Sequence, residues 1–144
     1  MIILGIDYGK ARTGIAVCDK AEMLAVPVCV ITEYNFDRLL EKISQTAKER
    51  QAEMLVVGLP KNMDGSEGAS AENARLLGEK LQEITGLEVQ FSDERGTSII
   101  AHNYLSETNV RGKKRKAAVD AVAATVILQN YLDFRKNTNS ENIK

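Results

Sequence analysis

Tryptophan is missing from this 144-residue chain, and aromatic residues make up only 5% of it. That scarcity argues against aromatic base-stacking platforms of the kind single-strand binders use. A net charge of −1 leaves no global basic field, so any contact with a polyanion has to come from a local patch. Cysteine is equally sparse. Cys18 and Cys29 sit in apolar, strand-like runs without Cys-x-x-Cys or Cys/His spacing, and read as small buried hydrophobes of a reducing compartment. Met1-Ile2-Ile3-Leu4-Gly5 is too short and too uncharged for a signal peptide. No apolar run approaches membrane-spanning length, so a soluble cytoplasmic protein without membrane contact is expected.

What is present is ordinary for one globular domain: 44% hydrophobic and 27% charged residues. A chain of this length buries roughly two-thirds of its unfolded surface and needs no disulfide or structural metal to fold. Ile2 to Ile6 is a continuous apolar run, as for a strand buried on both faces. Residues 13–19 and 26–32 read as two more strands, and the short connections between the three imply successive hairpins. Phe36, Leu39, Leu40, Ile43 and Ala47 then recur at helical spacing. Met54 to Val57 reads as another buried strand, followed by a Gly/Ser/Asn-rich loop over 61–70. A helix over 71–84, carrying Leu76, Leu77, Leu81 and Ile84 and stopped by Gly86, leads to a short strand at 89–91. Helices at 97–105 and 117–132 flank a basic loop over 110–116. The expected fold is α/β: a mixed five-stranded sheet, part antiparallel meander and part parallel crossover, with helices on both faces. Residues 1–134 form one domain in this reading, and 135–144 a frayed polar tail.

The carboxylates carry the chemistry. At ~100° per residue, Ala124, Ile127 and Tyr131 fall within about 40° of Asp120, and Gln129 lies about 180° away. Asp120 therefore stands in the middle of a core-facing stripe, where an unpaired charge costs several kcal/mol and calls for a cation. Lys116, one turn back, is the bland alternative partner, in the weaker orientation for a helical ion pair. Asp7 ends the first strand, at the edge where open α/β sheets gather ligands, although an Asp before Gly9 also suits a plain turn. Glu94 likewise ends a strand, although Asp93-Glu94-Arg95 by itself would be only a solvated charge cluster. Three hard oxygen ligands suit Mg²⁺ or Mn²⁺ rather than Zn²⁺.

Four runs bear a resemblance: G-I-D-Y-G-K-A-R-T-G-I-A-V-C-D (5–19), V-G-L-P-K-N-M-D-G-S-E-G (57–68), S-D-E-R-G-T-S (92–98) and R-K-A-A-V-D-A-V-A-A-T-V-I-L-Q-N-Y-L (115–132). In this order they resemble the YqgF family, Holliday-junction-resolvase-like proteins known as nucleases of precursor 16S ribosomal RNA. The resemblance implies a ribonuclease H-like fold with catalytic, metal-holding acids at Asp7, Glu94 and Asp120. Gly96 stands where that family usually has a leucine, which frees the backbone just after Glu94. Metal-assisted phosphodiester hydrolysis follows as the expected reaction. A Ser or Cys nucleophile is not expected, because the single histidine, His102, lies in a polar stretch without a partner.

Arg111, Lys113, Lys114, Arg115 and Lys116 crowd the start of the last helix, where cations oppose the macrodipole unless an anion joins them. Phosphates would satisfy both; a solvated loop is the plain alternative. Lys10, Arg12, Lys61 and Arg95 flank the same sheet edge and would position a nucleic-acid backbone rather than read bases. Structured RNA, branched DNA and ribosomal precursor particles are the expected partners, met by a monomer or a homodimer. Two rivals stand beside the nuclease. Asp7 to Gly14 also resembles the first phosphate loop of actin- and sugar-kinase-like ATPases, but those close two such domains on ATP and this chain has room for one. A noncatalytic ribosome-assembly module would keep the fold without the activity.

Overall fold

A computed structural model describes residues 1–60, 68–93 and 112–143. Five strands form one sheet: β1 (Ile3–Asp7), β2 (Arg12–Cys18), β3 (Ala25–Thr32), β4 (Met54–Leu59) and β5 (Glu88–Asp93). Their order is β3-β2-β1-β4-β5. β2 is antiparallel to both β1 and β3, while β4 is parallel to β1 and β5. The hydrophobic, twice-buried β1 thus lies at the centre, as its unbroken apolar run requires.

Side chains alternate across β1 and separate two cores. Leu4 and Ile6 join Ile15, Leu55 and Val57 under α1 (Phe36–Glu49) and α2 (Ala69–Thr85). On the other face, Ile3, Ala16 and Val56 pack against Ala124, Ile127, Leu128 and Leu132 of α3 (Gly112–Ile143). Helices therefore cover both faces of a mixed five-stranded sheet, as expected. The described helices include none long and apolar enough to cross a membrane.

Several local expectations need correction. In α2 the buried residues are Ala71, Ala74, Leu77, Gly78 and Leu81, whereas Leu76 and Ile84 are exposed. Helix and sheet approach so closely that a Cβ on Gly78 would stand 2.6 Å from Phe91 Cζ. At Gly78 no side chain fits, so the buried face combines Leu77 and Leu81 with small residues, and Leu76 and Ile84 are turned aside. Gly86 ends α2 in the left-handed conformation (φ 72°), as its position suggested. Cys18 is buried but Cys29 only half-buried, and neither forms a disulfide.

α3 extends beyond 117–132 in both directions. Lys113 to Lys116 are helical rather than a loop, and so are residues 135–143, read above as a frayed tail. Arg135 accounts for part of the continuation. Its Nε lies 2.8 Å from the Glu22 carboxylate, and its Nη1 lies 4.0 Å from Met54 Sδ. With one turn past Leu132 anchored, each further residue adds a hydrogen bond at low cost. The helix expected at 97–105 lies outside the described residues.

A Cβ on Gly5 would meet Leu128 Cβ at 2.7 Å and the Ala124 carbonyl oxygen at 3.2 Å. Gly5→Ala should therefore lower the unfolding free energy by about 1–3 kcal/mol through overpacking, as read from urea denaturation.

Candidate active site

β1, β4 and β5 run parallel, so their carboxyl ends share one edge of the sheet. Asp7 closes β1 there, opposite Gly14 of β2, and is half-buried. It shares a strand face with Ile3 and Gly5, the face that α3 covers. Asp93 ends β5 at the same edge, paired with Leu59, and Glu94 follows it in the chain. β4 alone lies between the two strands, which places their ends roughly 10 Å apart.

The direction of α3 follows from its contacts. Arg135 reaches Met54, which is in register with Ile3 at the start of β1. Ala124 and Leu128, further back along the helix, lie at Gly5. The helix thus runs against the strand, and Asp120 stands one turn before Ala124, towards the strand end that carries Asp7. Glu94 itself lies outside the described residues. Among the described residues, no three His, Cys, Asp or Glu side chains gather closely enough to hold a metal ion.

The turn from β1 to β2 is tightly built. A Cβ on Gly9 would collide with the carbonyl oxygen of Arg12. Thr13, the one buried polar residue of the described core, sends its Oγ1 towards the Gly9 carbonyl at 3.5 Å. Lys10 is exposed on this turn, and Arg12 is exposed at the start of β2, opposite Thr32. Both expected cations therefore stand at the Asp7 edge. Lys113, Lys114, Arg115 and Lys116 occupy the first two turns of α3. Lys61, Arg95, Gly96, His102 and Arg111 lie outside the described residues. An open groove of about 920 Å³, bordered by Gln45, Lys48, Ile84 and Leu87, opens towards the starts of β4 and β5, away from Asp7.

Residues 1–134 match the family described as RuvX, Holliday junction resolvase, also called YqgF. The chain belongs to this family. Among RuvX relatives, a "Putative pre-16S rRNA nuclease" of Clostridium botulinum (strain Eklund 17B / Type B) is 41% identical over 133 residues, covering 92% of this chain and 97% of its own. One of the same name from Caldanaerobacter subterraneus subsp. tengcongensis is 40% identical over 139 residues, covering 96% and 100%. Two solved structures share the RuvX chain's fold. Thermus thermophilus RuvC in complex with a Holliday junction substrate superposes with a TM-score of 0.61 at 16% identity, covering 96% of this chain and 97% of that one. The fowlpox virus Holliday junction resolvase gives 0.54 at 10% identity, covering 92% and 99%. The fold is accordingly ribonuclease H-like.

Gly9→Ala should open the β1–β2 turn and cost about 1–3 kcal/mol by overpacking, read from thermal or urea unfolding. The same variant should also lose phosphodiesterase activity, because it moves the turn next to Asp7.

Proposed function

We propose that this RuvX-family chain is a metal-dependent nuclease that hydrolyses phosphodiester bonds of precursor 16S ribosomal RNA, with residues 1–134 as its catalytic domain. The observation that carries the reading is the seating of α3 on Gly5. It leads Asp120 back along the helix towards the strand end that holds Asp7. The names of the relatives support the substrate, and the match across residues 1–134 supports the chemistry.

Asp7, Glu94 and Asp120 would hold Mg²⁺ or Mn²⁺. The donor set fits: carboxylate oxygens at a sheet edge are the hard ligands such ions take. When bound, the cation supplies an activated water and offsets the charge that develops on the leaving oxygen. The protein's own part is positional. Asp7 is fixed by the last register pair of β1. Glu94 comes next in the chain after Asp93, the last residue of β5. Lys10, Arg12, Lys61, Arg95, Lys113, Lys114, Arg115 and Lys116 would grip phosphates flanking the scissile bond, the helical four doing so at the positive end of α3. The protein would act in the cytoplasm as a monomer or homodimer, on free precursor RNA or on ribosomal precursor particles.

Asp7→Asn, Glu94→Gln and Asp120→Asn should each remove Mg²⁺- or Mn²⁺-dependent cleavage of precursor 16S RNA while leaving the circular dichroism spectrum intact. Full activity in all three variants would sink the assignment. A panel including a four-way DNA junction separates RNA processing from junction resolution, since only the latter predicts paired cuts in the junction. Binding should weaken steeply with added salt, because phosphate contacts release counterions. Replacing Lys113 and Lys114 together by Ala should make that salt slope shallower.

A further inference from the structure

Aromatic side chains are rare in this protein, and most of the described ones are packed. Tyr8 stands edge-to-face on Phe36, at 6.3 Å and 77°, and Phe91 lies under Arg75 and against the Gly78 site. Tyr34 differs. It is 81% exposed, more than any other large apolar or aromatic residue described. Burial does not explain the ring, yet the backbone beneath it is held on both sides.

Glu33 N–H donates to the Ala11 carbonyl at 3.0 Å, tying this segment to the turn that carries Lys10 and Arg12. Asn35 N–H donates to the Glu33 carboxylate at 3.2 Å, and Asn35 Oδ1 in turn caps α1 by accepting from Arg38 N–H at 3.0 Å. Lys42 Nζ, 2.9 Å from the Glu33 carboxylate, offsets the charge of the residue that precedes Tyr34 in the chain. The register pair Arg12↔Thr32 sets the start of β2 beside the end of β3, roughly 5 Å apart, with Tyr34 two residues further on. An exposed tyrosine on a tied loop therefore stands at the same sheet edge as Asp7, on a segment hydrogen-bonded to the turn that carries Lys10 and Arg12.

We propose that Tyr34 is a base-stacking subsite: an unpaired nucleobase lies on its ring while Arg12 and Lys10 hold the adjoining phosphate. A ring offers a π-face that any base can use, so the subsite recognises single-strandedness rather than sequence. A base within a duplex has both faces covered by its stacked neighbours and cannot use the ring; only the two terminal pairs of a duplex leave a face open. The consequence is a preference for single-stranded segments over blunt duplex. The subsite deepens the nuclease reading by naming the substrate class, but as a binding site it stands or falls by itself.

The test is binding of a single-stranded RNA dodecamer, and of the blunt duplex containing it, in EDTA so that binding is read without metal-dependent cleavage. Tyr34→Ala should weaken single-strand binding by about 5- to 150-fold, the range for loss of one stacked base. Tyr34→Phe should bind like the parent. Duplex affinity should not change, and the salt slope for single strands should stay the same in both variants. Unaltered single-strand binding by Tyr34→Ala overturns the subsite. So does an equal loss on duplex, which would mark a general disturbance, or a loss in Tyr34→Phe, which would mark a hydroxyl contact. The cleavage assays on the three acids are separate: their failure with a positive Tyr34 result rejects the nuclease and keeps the subsite, and the reverse rejects only the subsite.

Discussion

The distance between α3 and β1 governs the half of the molecule that matters for chemistry. No side chain fits between them at Gly5, where even a Cβ would stand 2.7 Å from Leu128. A helix this close to a central strand cannot slide or roll without collision, because packed interiors leave no room to do so. Its flanking contacts are apolar and continuous, from Ala124 through Leu132, and Arg135 fastens the far end to Glu22. Position along the helix thus becomes position along the strand. A carboxylate one turn before Ala124 inherits its place from a glycine in β1.

The opposite face is held by different means but with the same economy of volume. Ala74 and Gly78 bring α2 down on β5 against Phe91, and α1 covers Leu4 and Ile6 with Leu39 and Ile43. Both layers leave the carboxyl ends of the parallel strands uncovered by these contacts. Polar residues collect there for a simple reason: beyond the last register pair, apolar side chains lose their packing partners. Asp7, Lys10, Arg12 and Tyr34 all belong to this edge, and the Glu33–Ala11 hydrogen bond joins the segments that carry them.

The strands were readable because β1 and β4 are unbroken apolar runs and because β2 and β3 are bounded by turn residues. Asp120 was readable as unusual because helical periodicity places it among Ala124, Ile127 and Tyr131. The α2 stripe is right at Leu77 and Leu81 but wrong at its other two positions, for an equally physical cause. Size suggested Leu76 and Ile84, but closeness to the sheet selected Ala74 and Gly78, and hydrophobicity alone does not report how near two elements come. The length of α3 was also underestimated, since a polar segment carries no apolar periodicity and Arg135's partner, Glu22, lies far away in the chain.

From the sequence alone came the element order, the mixed sheet, the family and the three candidate acids, all of which rest on local patterns of period, turn chemistry and motif. Only the tertiary structure decided which way α3 crosses β1, which face of α2 is buried, and that Tyr34 shares an edge with Asp7 and Arg12. Those depend on contacts between residues far apart in the chain, above all the room left at Gly5 and the register of β2 with β3. Such contacts leave no periodic trace in the residues that make them.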